Sequence, residues 1–133
     1  MSTTQMKESF SFDNKIVKLF VLATIFWGAV AMLVGVTIAF QLASWKLNLG
    51  LEWITFGRLR PIHTNAAIFA FAGNGIFAGV YYSLQRLCKA RLFNSFLGNI
   101  HFWVWQLIIV FGALSIMMGY TTRANALKLY KIS

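Results

Sequence analysis

The residues best suited to chemistry in this chain lie in the run GRLRPIHTNAAIFAFAGNGIFAGVYY, residues 57–82. His63 is an ionisable side chain set in a long apolar stretch. Such a position marks a functional residue by default, because stranding imidazole nitrogens in hydrocarbon is costly. Three, four and seven residues on come Ala66, Ala67 and Ala70, so helical spacing places the histidine beside a strip of small side chains. A flat macrocycle coordinated by His63 needs a cleared surface of that sort. Arg58 and Arg60 stand just before it at the membrane boundary, and guanidinium groups pair with carboxylates such as haem propionates. These three residues form a candidate haem site, with His63 as the metal ligand. A plainer reading stays open beside it. Small residues also let helices pack closely: Ala66–Ala70 and Gly75–Gly79 fit the small-xxx-small pattern, and His63 can serve as an interhelical hydrogen-bonding group. The arginines can equally be interfacial anchors.

The elements that must carry this site are membrane helices. The chain has 133 residues, 59% of them hydrophobic and 11% charged, with a mean hydropathy of +0.67. A soluble domain carries about 25% charged residues, so this composition cannot coat a water-soluble globule. It excludes a soluble enzyme, a disordered tail and, with Cys88 as the one cysteine, a disulfide scaffold. The formal charge of +9 comes from basic residues that flank apolar runs, as membrane anchors do. The partner this implies is the lipid bilayer and not nucleic acid. Charge-free stretches run from Leu19 to Trp45, Pro61 to Gln85 and Leu92 to Thr122, each long enough for one span of about 20 residues. The first is too long, and lies too far from the start, for a cleaved signal peptide. Trp45, Trp53, Tyr81, Tyr82, Trp103 and Tyr120 sit mostly near the ends of these runs, where aromatic belts belong. The pattern predicts an all-α integral membrane protein with three transmembrane helices, near 17–43, 61–86 and 96–120, Pro61 occupying a first helical turn.

Three spans put the N-terminal segment (1–16) and the 86–91 loop on one side, and the 46–60 loop and the C-terminal tail (121–133) on the other. Lys7, Lys15, Lys18, Arg86, Lys89 and Arg91 face Lys46, Arg58, Arg60, Arg123, Lys128 and Lys131, a tie by the positive-inside rule. Setting the tail aside leaves Lys46, Arg58 and Arg60 on the second side and makes the N-terminus cytoplasmic. His101, in NIHFWVWQL, is the only other histidine. Chain reversal sets it near the opposite face from His63, their heights differing by roughly 15–25 Å at ~1.5 Å rise per residue. One iron cannot take both. His101 is expected to be a hydrogen-bonded interior residue, with Phe102, Trp103 and Trp105 for packing and Gln106 as a partner.

The run TFGRLRPIHTNAAIFAFAGNGIFAGVYY, then QRLCKARL, then HFWVWQLIIV with GYT, resembles the catalytic subunit of the cbb-type cytochrome c oxidases, the C-family haem–copper oxygen reductases. The resemblance covers about residues 14–122, residues 17–120 forming the three-helix portion. It implies part of a twelve-helix subunit I fold in a bacterial inner membrane. His63 falls on an axial ligand of the low-spin haem b. In the complete complex the resemblance implies haem c subunits and cytochrome c as electron donors, and oxygen reduction to water with proton pumping at a high-spin haem b and copper. The ligands of that oxygen-reducing centre belong to helices this chain lacks, so no catalytic residue is carried over and the chain is expected to be inactive alone. After GYT the family usually continues with an acidic, EYAELEW-like run that helps hold calcium near the propionates. Here TRANALKLYKIS follows, with no acid. That departure leaves the calcium site in doubt and is read as a premature stop, a frameshift or a gene fragment. Two alternatives stay open: part of a nitric oxide reductase large subunit, and a non-enzymatic small membrane assembly protein.

Overall fold

A computed structural model describes residues 12–90 and 92–119. The described residues fold into three long helices. The first spans Asn14–Ala43, the second Phe56–Leu87 and the third Ser95–Met117, each long and apolar enough to cross a membrane. No strand occurs among the described residues. Expected and observed helices match in number and place, and their ends differ for local reasons. The Asp13 carboxylate accepts from Lys15 N at 3.2 Å and the Asn94 amide oxygen from Phe96 N at 2.9 Å, capping the first and third helices. The third helix stops at Met117 because Gly119 takes φ +76° and turns its N–H back to Ile116 O at 3.1 Å. The expected end at residue 120, and the segments 1–11 and 120–133, lie outside the described residues.

The second helix carries the main correction. It begins at Phe56, so Pro61 sits in the sixth position and not in a first turn. Arg58 N and Leu59 N both donate to Thr55 O, at 2.9 and 3.0 Å, and start the helix ahead of the proline. Because proline has no N–H, the regular i−4 bond to the Gly57 carbonyl is missing. Farther on, Ala66–Ala72 winds as a π-helix before regular geometry resumes at Gly73. Such wide turns often mark functional positions.

The helices run alternately up and down in steady register. Along the first and second, Asp13 meets Gln85, Thr24 lies against Gly75, Gly28 against Phe71 and Gly35 against His63. One aromatic and aliphatic core, of Ile16, Phe20, Ala78 and Phe102, closes the end near the chain's start. A second core, of Ile38, Leu59 and Ile62, closes the other. Between them small residues bring the backbones together, as lipid-facing bundles require when the hydrophobic effect does not favour helix association. The outer faces are apolar and open, Leu22, Phe26, Met32, Leu33, Trp103 and Phe111 among them.

Candidate functional site

His63 lies half-buried on the second helix and turns toward the first. Its Nδ1 is 2.9 Å from the carbonyl oxygen of Ala31. A carbonyl oxygen only accepts, so Nδ1 carries the proton and, in the neutral ring, Nε2 keeps its lone pair. That is the tautomer a metal-ligating histidine needs when its Nδ1–H is held by a backbone carbonyl. One turn farther along the first helix is Gly35. A Cβ there would lie 2.8 Å from His63 Cε1, so the imidazole occupies space that only glycine leaves free. That clearance on the first helix makes room for the imidazole itself, a feature separate from the alanine strip expected to face a macrocycle.

The alanine strip plays another part. Ala70 is fully buried and Ala66 and Ala67 are half-buried. The π-helical turn that contains them packs against the first helix. At Ala70 the close-packing reading holds and the open-platform reading does not. Gly75 approaches the first helix through Thr24, whereas Gly79 has open space around it, so only half of that small-residue pair is used in packing.

The structure separates the two arginines. Residues on one helix are offset by about 100° each, so Arg60 projects about 60° from His63 and Arg58 about 140°. Arg58 Nη1 donates to Met117 O at 2.6 Å, and Nη2 lies 3.9 Å from the Glu52 carboxylate. That guanidinium satisfies an orphan carbonyl at the C-terminus of the third helix, where a cation is favoured. Arg60 is exposed, its backbone carbonyl accepting from Thr64 Oγ1 at 3.1 Å. With both arginines expected in a loop, the sequence could not rank them.

His101 is an interior, hydrogen-bonded residue, but its partner is not Gln106. Its Nδ1 is 2.9 Å from the Tyr81 hydroxyl, and Phe77 meets the ring edge-on at 4.6 Å. Tyr81 follows His63 by eighteen residues on the same helix, roughly 25 Å along the axis. The two histidines therefore stand at different levels. Gln106 serves a network that sequence reasoning missed. Its Nε2 donates to Asn74 Oδ1 at 2.8 Å, its Oε1 accepts from Trp27 Nε1 at 2.7 Å, and the fully buried Asn74 donates to Ala70 O at 2.5 Å. These bonds join all three helices at mid-span. An asparagine between two glycines in an apolar run was the available signal. Among the described residues, no three His, Cys, Asp or Glu side chains gather into a metal cluster.

A haem cofactor can be tested against this geometry. A half-buried imidazole with Nδ1–H fixed and no hydrogen-bond partner for Nε2 among the described residues fits one axial position. Residues 15–131 match the family model for cytochrome c and quinol oxidase polypeptide I. The chain belongs to that family. It is 49% identical over 114 residues to the cbb3-type cytochrome c oxidase subunit CcoN1 of Stutzerimonas stutzeri, covering 86% of this chain and 24% of that protein. It is 47% identical over 108 residues to a cytochrome c oxidase subunit 1 homolog of Agrobacterium tumefaciens (81% and 20%). It is 52% identical over 111 residues to cytochrome c oxidase subunit 1 of Rhodobacter capsulatus (81% and 21%). The chain thus spans about a fifth to a quarter of the length of these relatives. Family membership and three apolar helices make it a multi-pass membrane protein.

Proposed function

We propose that this chain supplies half of a low-spin haem b site in the catalytic subunit of a cbb-type cytochrome c oxidase. His63 provides one axial ligand through Nε2, and a histidine outside this chain provides the other. The observation that carries the proposal is the bond from His63 Nδ1 to Ala31 O, which fixes a ligating tautomer inside the matched family region. A bis-histidine haem passes single electrons and leaves no open position for oxygen. Arg60 would meet a propionate, a reading supported by its exposure on the histidine's side of the helix, while Arg58 ties the second helix to the third. The complete subunit would add a high-spin haem b and copper, take electrons from cytochrome c through haem c subunits, and reduce oxygen to water while pumping protons. The three-helix segment alone would have no oxidase activity. The charge count without the tail supports a cytoplasmic N-terminus in a bacterial inner membrane, with His63 toward the outer face. That the relatives named above are oxidases supports the oxidase reading over a nitric oxide reductase.

The test belongs in an assembled oxidase in which residues 15–119 replace the matching segment of the Stutzerimonas stutzeri subunit. His63→Ala should abolish the low-spin haem b absorption, and His101→Ala should leave it in place. A normal low-spin spectrum in the His63 variant would return this residue to a structural role as an interhelical hydrogen-bonding group.

A further inference from the structure

Two groups of the first helix grip one side chain of the second. The Ala31 carbonyl holds His63 Nδ1 at 2.9 Å. One turn on, a Cβ at Gly35 would lie 2.8 Å from Cε1, 3.3 Å from Nδ1 and 3.4 Å from Nε2. The whole Nδ1–Cε1–Nε2 edge of the ring therefore lies along the bare backbone of that glycine. Any larger residue there must displace the ring edge itself, and with it the Nδ1 that meets Ala31 O.

We infer that Gly35, together with the Ala31 carbonyl, is a positioning element for His63 that sets the ring plane and the donor strength of its Nε2. The inference rests on the haem-ligand reading of His63 and names what enforces it. The physical link is twofold. Ring rotation about the iron–nitrogen axis changes which iron d orbitals the imidazole meets, and so changes the g-values of the ferric low-spin signal. A strong Nδ1–H bond to a carbonyl raises ligand basicity, which favours ferric iron, so loosening it should raise the reduction potential.

The molecule also contains its own control. Gly28, on the same helix, is crowded to the same degree, a Cβ there meeting Phe71 Cδ2 at 2.9 Å, with no polar group at the contact. Gly28→Ala puts the same methyl group between the same two helices two turns away, where it meets only the Phe71 ring edge, a side chain that can turn aside, and it does not touch the histidine.

In the assembled chimeric oxidase, Gly35→Ala is expected to shift the largest g-value of the low-spin ferric haem and to raise its midpoint potential. Gly28→Ala should leave both where the unsubstituted protein has them. Unchanged g-values and potential in Gly35→Ala at full haem content would overturn the inference, as would the same shift in Gly28→Ala. His63→Ala keeps the two readings apart: loss of the low-spin signal there, with an indifferent Gly35→Ala, leaves the ligand and removes the positioning role. Where the Gly35 variant fails to assemble, the unsubstituted complex still decides. With nitrogen-15 histidine, pulsed EPR should find one axial Nδ1–H that resists exchange in heavy water for hours. Exchange of both axial Nδ1 protons within minutes would sink the idea.

Discussion

At the scale of single residues, chemistry and architecture divide between neighbours that look alike in the sequence. Arg58 and Arg60 are two positions apart, yet one guanidinium closes the end of the third helix and the other stays exposed beside the histidine's face. Their substitutions should separate. On the proposed haem site, Arg60→Gln would remove a positive charge beside a propionate, which favours ferric over ferrous haem, and a redox titration of the chimera should show a lower low-spin potential. Arg58→Gln should leave that potential in place and lower thermal stability, because it exposes the Met117 carbonyl and loosens the contact between helices. Equal potentials in the two variants would contradict the division of roles. The histidines divide in the same way. Nδ1 of one is held by a backbone carbonyl and Nδ1 of the other by a phenol, roughly 25 Å away along the bundle.

At the scale of elements, the second helix departs from a regular rod twice, at Pro61 and across Ala66–Ala72. The wide turns bring Ala70 beneath the first helix and leave Asn74 fully buried, where its amide bonds both to Ala70 O and to Gln106. A buried amide in a dry interior cannot be left unpaired without cost. Asn74→Leu strands Gln106 Nε2 and should destabilise the bundle by about 1 kcal/mol, the usual scale for interhelical hydrogen bonds in membranes. Adding Gln106→Leu removes the stranded amide but leaves Trp27 Nε1 without its acceptor, so the double variant should lose less than the two single losses added together. Thermal unfolding in detergent of the single and double variants would check this. Losses that simply add in the double variant would show that the network is not a unit.

At the scale of the whole molecule, the three helices bury few side chains among themselves and leave broad apolar faces outward. Such a bundle is at home in lipid, where those faces cost little. Its orientation is open to direct measurement. Cys88 is exposed in the turn after the second helix, and Leu51 is exposed between the first two. With a cytoplasmic N-terminus, native Cys88 should react with a membrane-impermeant maleimide only from the cytoplasm. A cysteine at Leu51, in a Cys88→Ser background, should react only from outside. The opposite pattern would reverse the topology. The purified 133-residue chain should show no cyanide-sensitive oxygen uptake, and any such uptake would refute its proposed inactivity.

The sequence alone determined the membrane class, the number of spans and the separation of the two histidines. Each follows from quantities that are additive along the chain: charge-free length, rise per residue and the alternation of direction. It also singled out His63, since an imidazole in an apolar run stands out without any knowledge of its neighbours. The tertiary structure decided what touches what. Gly35 and the carbonyl of Ala31 lie 28 and 32 residues from His63 in the chain, so no local pattern connects them to its ring. The helix start at Phe56, which ranks the arginines, and the π-turn, which buries Ala70, both run against the regular helix that spacing arguments assume. The Trp27–Gln106–Asn74 network joins three helices whose mutual register is set only when their small residues pack. Span and polarity are properties of a segment, whereas register and proximity exist only between segments.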